Sequence, residues 1–397
     1  MMNKLPERIR HIEVSSFSES TGSLSQPSQF TFQYTGNKPV SLTMNVRDEP
    51  YHYGSLHPVF TQNLPEGYVR QYIYEKLQRH AHVNDLYLLA LQGDKGIGHL
   101  SYASELAHID EDQFSLTDIL SWNKQESLFP QLLDRYYLSG LLAGVQPKVM
   151  VPISGRTAIH QNDVIVKTFD EEYDLLTVNE YVCMSAAKAA GLAPPNFWLS
   201  DDHKCFVIER FDIVNGQQMA VEDFTVLMGK SNNEKYTSKY ETLLKAVRIF
   251  TGSQAEVERA YRYIVFNCLI GNGDAHLKNF SIMYDMNREN IIMTPPYDIT
   301  HTLIYPTIDN KLALKMDDSK AFPDYKTLKK FGESFGIKKC SEIIEKTSAS
   351  ISDYINSSTE IQLMEGLKES IEKSLTQAKT GTFSRTGYRH DKHRKFE

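Results

Sequence analysis

The apolar positions of this chain change period along its length. Between residues 28 and 46 they alternate: Phe30, Phe32 and Tyr34 share one face, and Val40, Leu42, Met44 and Val46 follow a Gly36-Asn37 turn. A period of two on both sides of a turn predicts a two-stranded hairpin. Next, Pro65 suits a first helical turn, and Tyr68, Tyr72 and Leu77 are spaced to share a helical face. Residues 93–102 are punctuated by Gly93, Gly96 and Gly98, which reads as a tight turn into a strand rather than a phosphate loop. After the acidic Asp110-Glu-Asp stretch, a short helix is predicted at 116–123.

Short apolar runs then mark buried strands at 149–151, 164–166 and 206–208. Between the last two lies Leu175–Ala190, rich in helix formers, carrying Glu180 and stopped by Gly191 at the C′ position. Beyond residue 250 the spacing becomes helical. Ser253-Gln-Ala-Glu256 predicts a capping box, and Val257, Tyr261, Ile264, Val265 and Cys268 form one apolar stripe. Further helices are predicted at 324–335, 340–356 and 360–378, the last opened by Thr359-Glu-Ile-Gln362 in the same capping pattern. Residues 382–397 are basic and polar and read as a disordered tail, with a phosphate-contacting arm as the alternative.

Composition narrows the class. At 397 residues, with 41% hydrophobic and 23% charged, the chain reads as a soluble globular protein of two or three subdomains. A formal charge of -7 argues against a general polyanion binder, so any DNA contact is expected to be local or supplied by a partner. Cys183, Cys205, Cys268 and Cys340 are far apart in apolar surroundings, which predicts buried free thiols and a reducing, cytoplasmic compartment. The N-terminus lacks an export signal, and no run is long enough to span a bilayer.

The chemistry converges on 266–281 and 296–298. An apolar helix enters a turn with Gly271 and Gly273, which presents Asp274, His276, Lys278 and Asn279 before the next strand; Asp298 follows later. Protein-kinase catalytic loops use an Asp that accepts the substrate hydroxyl's proton, an Asn five positions on that holds Mg²⁺, and a second metal-binding Asp after an intervening strand. Asp274, Asn279 and Asp298 follow that order. Each alone is also what an ordinary turn or solvated loop contains. Lys167, closing the run Val164-Ile-Val, matches the strand Lys that reaches nucleotide phosphates and pairs with a helix Glu, here Glu180; an exposed strand-end Lys is the plainer alternative. Ala143-Gly-Val-Gln-Pro-Lys148 reads equally as a β-turn or a small anion nest. The polar segment 229–241 suits a lid or substrate loop.

In combination these pieces resemble the HipA-like serine/threonine kinases, the toxins of bacterial toxin–antitoxin modules. The resemblance rests on Asn63-Leu-Pro-Glu-Gly, Ala143-Gly-Val-Gln-Pro-Lys, Val164-Ile-Val-Lys, Asn179-Glu-Tyr, Val207-Ile-Glu-Arg-Phe-Asp, Glu222-Asp-Phe, Lys239-Tyr-Glu, Leu269 to Ser281, and Tyr297-Asp. It implies an α+β, two-lobed protein-kinase-like fold: an N-terminal β-rich subdomain at 1–105, a kinase N-lobe at 106–212, a mostly helical C-lobe at 213–381 and the tail at 382–397. The resemblance makes Asp274 the catalytic base, with His276 buttressing the loop and Lys278 neutralising charge on the transferred phosphoryl group. It makes Asn279 and Asp298 ligands of Mg²⁺ and Lys167 the ATP anchor, paired with Glu180. Gly144, Val145, Gln146 and Lys148 would belong to the phosphate-side loop, and Glu209 and Phe211 to the adenine hinge. A small helix-turn-helix antitoxin, a protein substrate, with aminoacyl-tRNA synthetases among the family's targets, and operator DNA reached through the antitoxin are the implied partners; no membrane is implied. Two other functions stay open: a catalytically weak nucleotide-binding scaffold and a small-molecule phosphotransferase. Where many members carry a self-phosphorylated serine before the phosphate-side loop, this chain has Leu141, Leu142 and Ala143, with Ser139 and Ser154 the nearest hydroxyls. Self-inactivation at 141–143 is therefore not expected.

Overall fold

The computed structural model describes residues 6–94, 96–106, 114–123, 128, 131–132, 148–153, 162–168 and 173–381. Gly144, Val145, Gln146, Ser139, Ser154, Leu141 to Ala143, the acidic stretch at 110–112 and the tail at 382–397 lie outside the described residues.

Two apolar cores organise the chain. In the first hundred residues, strands β1 (His11–Ser16), β2 (Glu19–Ser25), β3 (Phe30–Tyr34), β4 (Tyr51–Tyr53) and β5 (Leu100–Ala103) form an antiparallel sheet in the order β4-β3-β2-β1-β5. Helices Gly67–Leu77 and Asp85–Gln92 lie in the connection to β5. The next sheet, in the order β6-β7-β9-β8, is built from β6 (Lys148–Ile153), β7 (Asn162–Thr168), β8 (Phe197–Leu199) and β9 (Cys205–Glu209). Helix Leu176–Ala189 crosses between β7 and β8, and Gly191 follows its C-cap with φ +78°.

The period-two rule shows how these units join. On β7 and β9, Ile165, Phe206 and Ile208 face the core shared with the C-terminal helices, whereas Val164, Val166, Cys205 and Val207 belong to the core of the N-terminal sheet. The central strands β7 and β9 are therefore buried on both sides, and they read as unbroken apolar runs.

The third part is mainly helical, with Tyr240–Thr251, Gln254–Ile270, Tyr325–Ser334, Cys340–Ser357 and Leu367–Thr380, plus a small sheet of Ala220–Asp223, Ser281–Tyr284 and Ile292–Met293. The stripe Val257, Tyr261, Ile264, Val265 and Cys268 is buried as its spacing predicts, and all four cysteines are free and buried. Among the described residues no helix is long and apolar enough to cross a membrane.

Four expectations need correction. Residues 40–46 do not return as a strand: β3 pairs with β2 and β4, and residues 41–44 close only an isolated bridge. The donors there are used elsewhere, since Ser41 Oγ (2.5 Å) and the Leu42 N–H (2.8 Å) both reach the fully buried carboxylate of Glu222, which also accepts from Tyr284. A buried carboxylate without such donors is costly, so satisfying Glu222 outweighs extending a hairpin. In helix Gly67–Leu77 the buried face is Val69, Ile73 and Leu77, one turn apart, and Pro65 precedes the N-cap. At Ser253 only half of the capping box forms, because Glu256 turns its carboxylate to the Met293 N–H (2.7 Å). Residues 360–378 are not one helix: a 3₁₀ turn at Glu360–Leu363 stops before Gly366, whose φ of +78° ends that segment ahead of Leu367–Thr380.

Candidate functional site

Helix Gln254–Ile270 aims its C-terminal end at the turn that carries Asp274. Gly271 caps it with φ +82°, and a Cβ there would lie 2.7 Å from His301 Nδ1, so both backbone and space require glycine. Asn272 then shapes the turn by donating to Asn267 Oδ1 (2.6 Å) and accepting from the Asp274 N–H (3.0 Å). Gly273 N–H donates to Thr302 Oγ1 (2.7 Å). These bonds leave Asp274 exposed at the surface of the cleft, while Ala275, His276 and Leu277 are buried. A 3₁₀ turn at Leu277–Asn279 follows, and Asn279 Oδ1 accepts from the His276 N–H (3.0 Å).

The returning chain places Asp298 against this loop in a left-handed conformation, φ +60°. Asn279 Nδ2 donates to Asp298 Oδ2 (2.8 Å), and Lys167 Nζ donates to Asp298 Oδ1 (2.5 Å). Lys167 also pairs with Glu180, and both side chains are almost fully buried. Burial alone would depress the Lys167 ammonium, but Asp298 and Glu180 outweigh it and hold it raised. Lys167, Glu180, Asp298 and Asn279, separated by up to 131 residues along one contact, form one continuous polar chain.

This chain borders a cavity of about 470 Å³ that also holds Asp274, Lys278, Phe211 and Tyr297. Phe211 stacks on Tyr297 with centroids 5.4 Å apart and planes 16° from parallel. Tyr297 Oη in turn bonds the Lys278 carbonyl (2.8 Å) and Ser281 Oγ (2.5 Å). Glu209 is not on that wall. It accepts from Asn196 Nδ2 (2.7 Å) and lines, with Phe211, a smaller neighbouring cavity. The Lys148 backbone stands in register with Lys167 on β6; its side chain is not among those described.

His276 and Lys278 sit differently from one another. Burial, followed by the charge of Lys235, pushes the His276 imidazole down to about 3, so it stays neutral at ordinary pH; its Nδ1 has no hydrogen-bond partner among the described residues. Lys278 Nζ forms an ion pair with Glu66 Oε1 at 2.6 Å, across 212 residues.

Glu66 and Tyr236 are among the cleft residues that residue-by-residue reading missed. Glu66 is the N-cap of Gly67–Leu77 and projects from the N-terminal unit into the cavity with Asn63. Its signal was present as the polar pair inside Asn63-Leu-Pro-Glu-Gly, an odd composition for a helix entry that packs on a core. Tyr236 donates its hydroxyl to Asp274 Oδ1 (2.8 Å) from within the polar segment read as a lid. The donor set of Asp298, the Asn279 amide oxygen and the nearby Asp274 suits a hard cation that takes one or two protein oxygens and completes its shell with phosphate and water. Among the described residues no cluster of three or more His, Cys, Asp or Glu side chains could hold a metal without such added ligands.

The fold and this arrangement define an α+β protein of the kinase-like class. The model of the HipA-like C-terminal domain matches residues 140–355, and that of the HipA N-terminal domain matches residues 12–103. The chain belongs to the HipA family. It is 28% identical over 312 residues to the putative kinase Y4mE of Sinorhizobium fredii, covering 70% of this chain and 72% of that protein. To the serine/threonine-protein kinase toxin HipA of Shewanella oneidensis it is 28% identical over 203 residues, 45% of this chain and 46% of that protein. Its fold is similar to a solved Shewanella oneidensis HipA in complex with HipB and its operator DNA: TM-score 0.67 at 20% identity, covering 92% of this chain and 95% of that one.

Proposed function

We propose that this protein is an ATP- and Mg²⁺-dependent serine/threonine protein kinase and the toxin of a toxin–antitoxin pair. The observation that carries the reading is the unbroken chain Glu180–Lys167–Asp298–Asn279, which opens into the same cavity as Asp274. A scaffold has no need to hold four such residues in contact. In this reading Lys167, kept cationic and oriented by Glu180, binds nucleotide phosphate. Asn279 and Asp298 would hold Mg²⁺, which on binding supplies neutralisation of phosphate charge. Asp274 accepts the proton of the substrate hydroxyl as the new O–P bond forms and the bond to ADP breaks. His276, neutral and buried, supports the turn rather than carrying a proton. Phe211, stacked on Tyr297, supplies an aromatic wall for the nucleotide base.

The complex of the Shewanella HipA with HipB and operator DNA supports a helix-turn-helix antitoxin as partner here, and a net charge of -7 fits DNA contact made through that partner. The expected outcome of phosphorylation is growth arrest through a protein target, with aminoacyl-tRNA synthetases the class the family resemblance names. The test is incubation of the purified chain with labelled ATP, Mg²⁺ and a cell lysate, followed by mass spectrometry of labelled proteins. Phosphoserine or phosphothreonine on a lysate protein, absent with Asp274→Asn, is expected; labelled small molecules without labelled protein would overturn the reading.

A further inference from the structure

In the proposed kinase site the hydroxyl that receives phosphate is the one held by Asp274, and the structure already supplies one. Tyr236 Oη donates to Asp274 Oδ1 at 2.8 Å, and the tyrosine ring meets His276 edge-on, with centroids 5.1 Å apart and planes at 76°. Burial, followed by the charge of Asp274, raises the phenol, so it remains a protonated donor. Its position is fixed from several sides. The Lys235 carbonyl accepts from the Leu277 N–H of the catalytic loop (3.2 Å), and Asn232 Nδ2 donates to Glu66 Oε1 (2.8 Å). Where this segment ends, Lys239 pairs with Lys315 in an isolated bridge. The segment is thus laid over the catalytic loop with a long side chain reaching down to the base.

Resting on the kinase reading above, we propose that Tyr236 is an intramolecular phosphoryl acceptor, a self-modification site at which the enzyme transfers phosphate to its own phenol. The Oη–P bond forms as the bond from the γ-phosphorus to the bridging oxygen breaks; the phenol proton passes to Asp274, and ADP leaves with the electron pair. No reactant besides ATP is required. The product carries close to two negative charges, which cannot stay against Asp274. Transfer therefore drives the ring away and frees the base for a second hydroxyl, with Lys235 and Lys278 on the cavity wall to receive the phosphate.

The test uses the full-length purified chain, dephosphorylated, then given Mg²⁺-ATP, with peptide mass spectrometry of residues around 236 and nucleotide affinity measured in parallel. One phosphate on Tyr236 is expected, at a fractional rate independent of protein concentration, and lost with Tyr236→Phe and with Asp274→Asn. A chain that binds nucleotide and labels lysate protein while Tyr236 stays unmodified overturns this inference and leaves the kinase reading standing. Phosphate at Ser139 or Ser154 without phosphate at Tyr236, or a rate proportional to protein concentration, overturns it as well. No nucleotide binding at all overturns both.

Discussion

Two lysines flank the cleft, and they are held by different parts of the molecule. Lys167 is almost fully buried between Glu180, on the helix that follows its own strand, and Asp298, from the segment packed on the Asp274 loop. Lys278 is more open and is held by Glu66, which arrives from the N-terminal unit. In the proposed kinase reading the first pairing fixes a cation where phosphate would be bound, because a buried ammonium with two carboxylates has little freedom. The second ties the Asp274 loop to the N-terminal unit through the Lys278–Glu66 pair, so in the proposed reading the state of that unit would be felt at the reacting end of the cleft. Anchoring and coupling are thus separated onto two cations.

The largest test lies between the two lysines. Asp274→Asn keeps the shape of the turn, whose bonds run through the Asp274 backbone and Asn272, but removes the proposed proton acceptor. Phosphotransfer is expected to fall by about 10²–10⁴-fold with nucleotide affinity and melting temperature unchanged. Wild-type turnover in this variant would remove Asp274 from the mechanism. Lys167→Met attacks the anchor instead. It leaves Glu180 and Asp298 facing each other without their cation, which costs on the order of 3–5 kcal/mol of stability, and nucleotide binding should be lost. Chemical denaturation together with calorimetry reads both effects, and unchanged affinity would break the division drawn between the two lysines.

Glu66→Gln tests the coupling. It keeps a hydrogen-bond acceptor beside Lys278 and Asn232 but removes the charge, so the fold and nucleotide affinity should hold while phosphotransfer changes by about tenfold, roughly 1.4 kcal/mol. A change in nucleotide affinity without a change in rate would show that Lys278 acts as an anchor like Lys167.

The two lysines also differ in how far the sequence reveals them. Lys167 and Glu180 are 13 residues apart, on a strand and the helix that follows it, and the strand pattern, the helix formers and Gly191 mark both elements. The order Asp274, Asn279, Asp298 is likewise local enough to read. Glu66 and Lys278 are 212 residues apart, and Ser41 and Glu222 are 181 apart. No periodicity links such pairs, because the contact is set by how two finished units pack. The same cause defeats the hairpin at 40–46, where alternation was present but the donors of Ser41 and Leu42 go to Glu222. An acid within the apolar stretch Ala220–Leu227 was the visible sign that something distant had to meet it.

The smallest effect belongs to the seam that carries Glu66. His99 lies in that seam, its ring 4.7 Å from Phe17 and 6.0 Å from Tyr284, with Nε2 unpartnered among the described residues. Burial, followed by the charge of Arg288, pushes it from 6.5 down to about 3. The unfolded chain therefore takes up a proton near pH 6.5 that the folded chain refuses until near pH 3, so this group makes stability fall as pH drops through that window. Lys167, raised by its carboxylates, adds no such loss there, because it is protonated in both states across that range. His99→Leu removes one titrating proton, and the slope of unfolding free energy against pH between about 6 and 4 should become shallower by about 1.4 kcal/mol per pH unit. Activity at neutral pH should not change, since His99 is not on the cavity wall. Urea denaturation at stepped pH reads the slope directly, and an unchanged slope would mean that His99 is protonated in the folded protein and that the seam's acid response lies elsewhere.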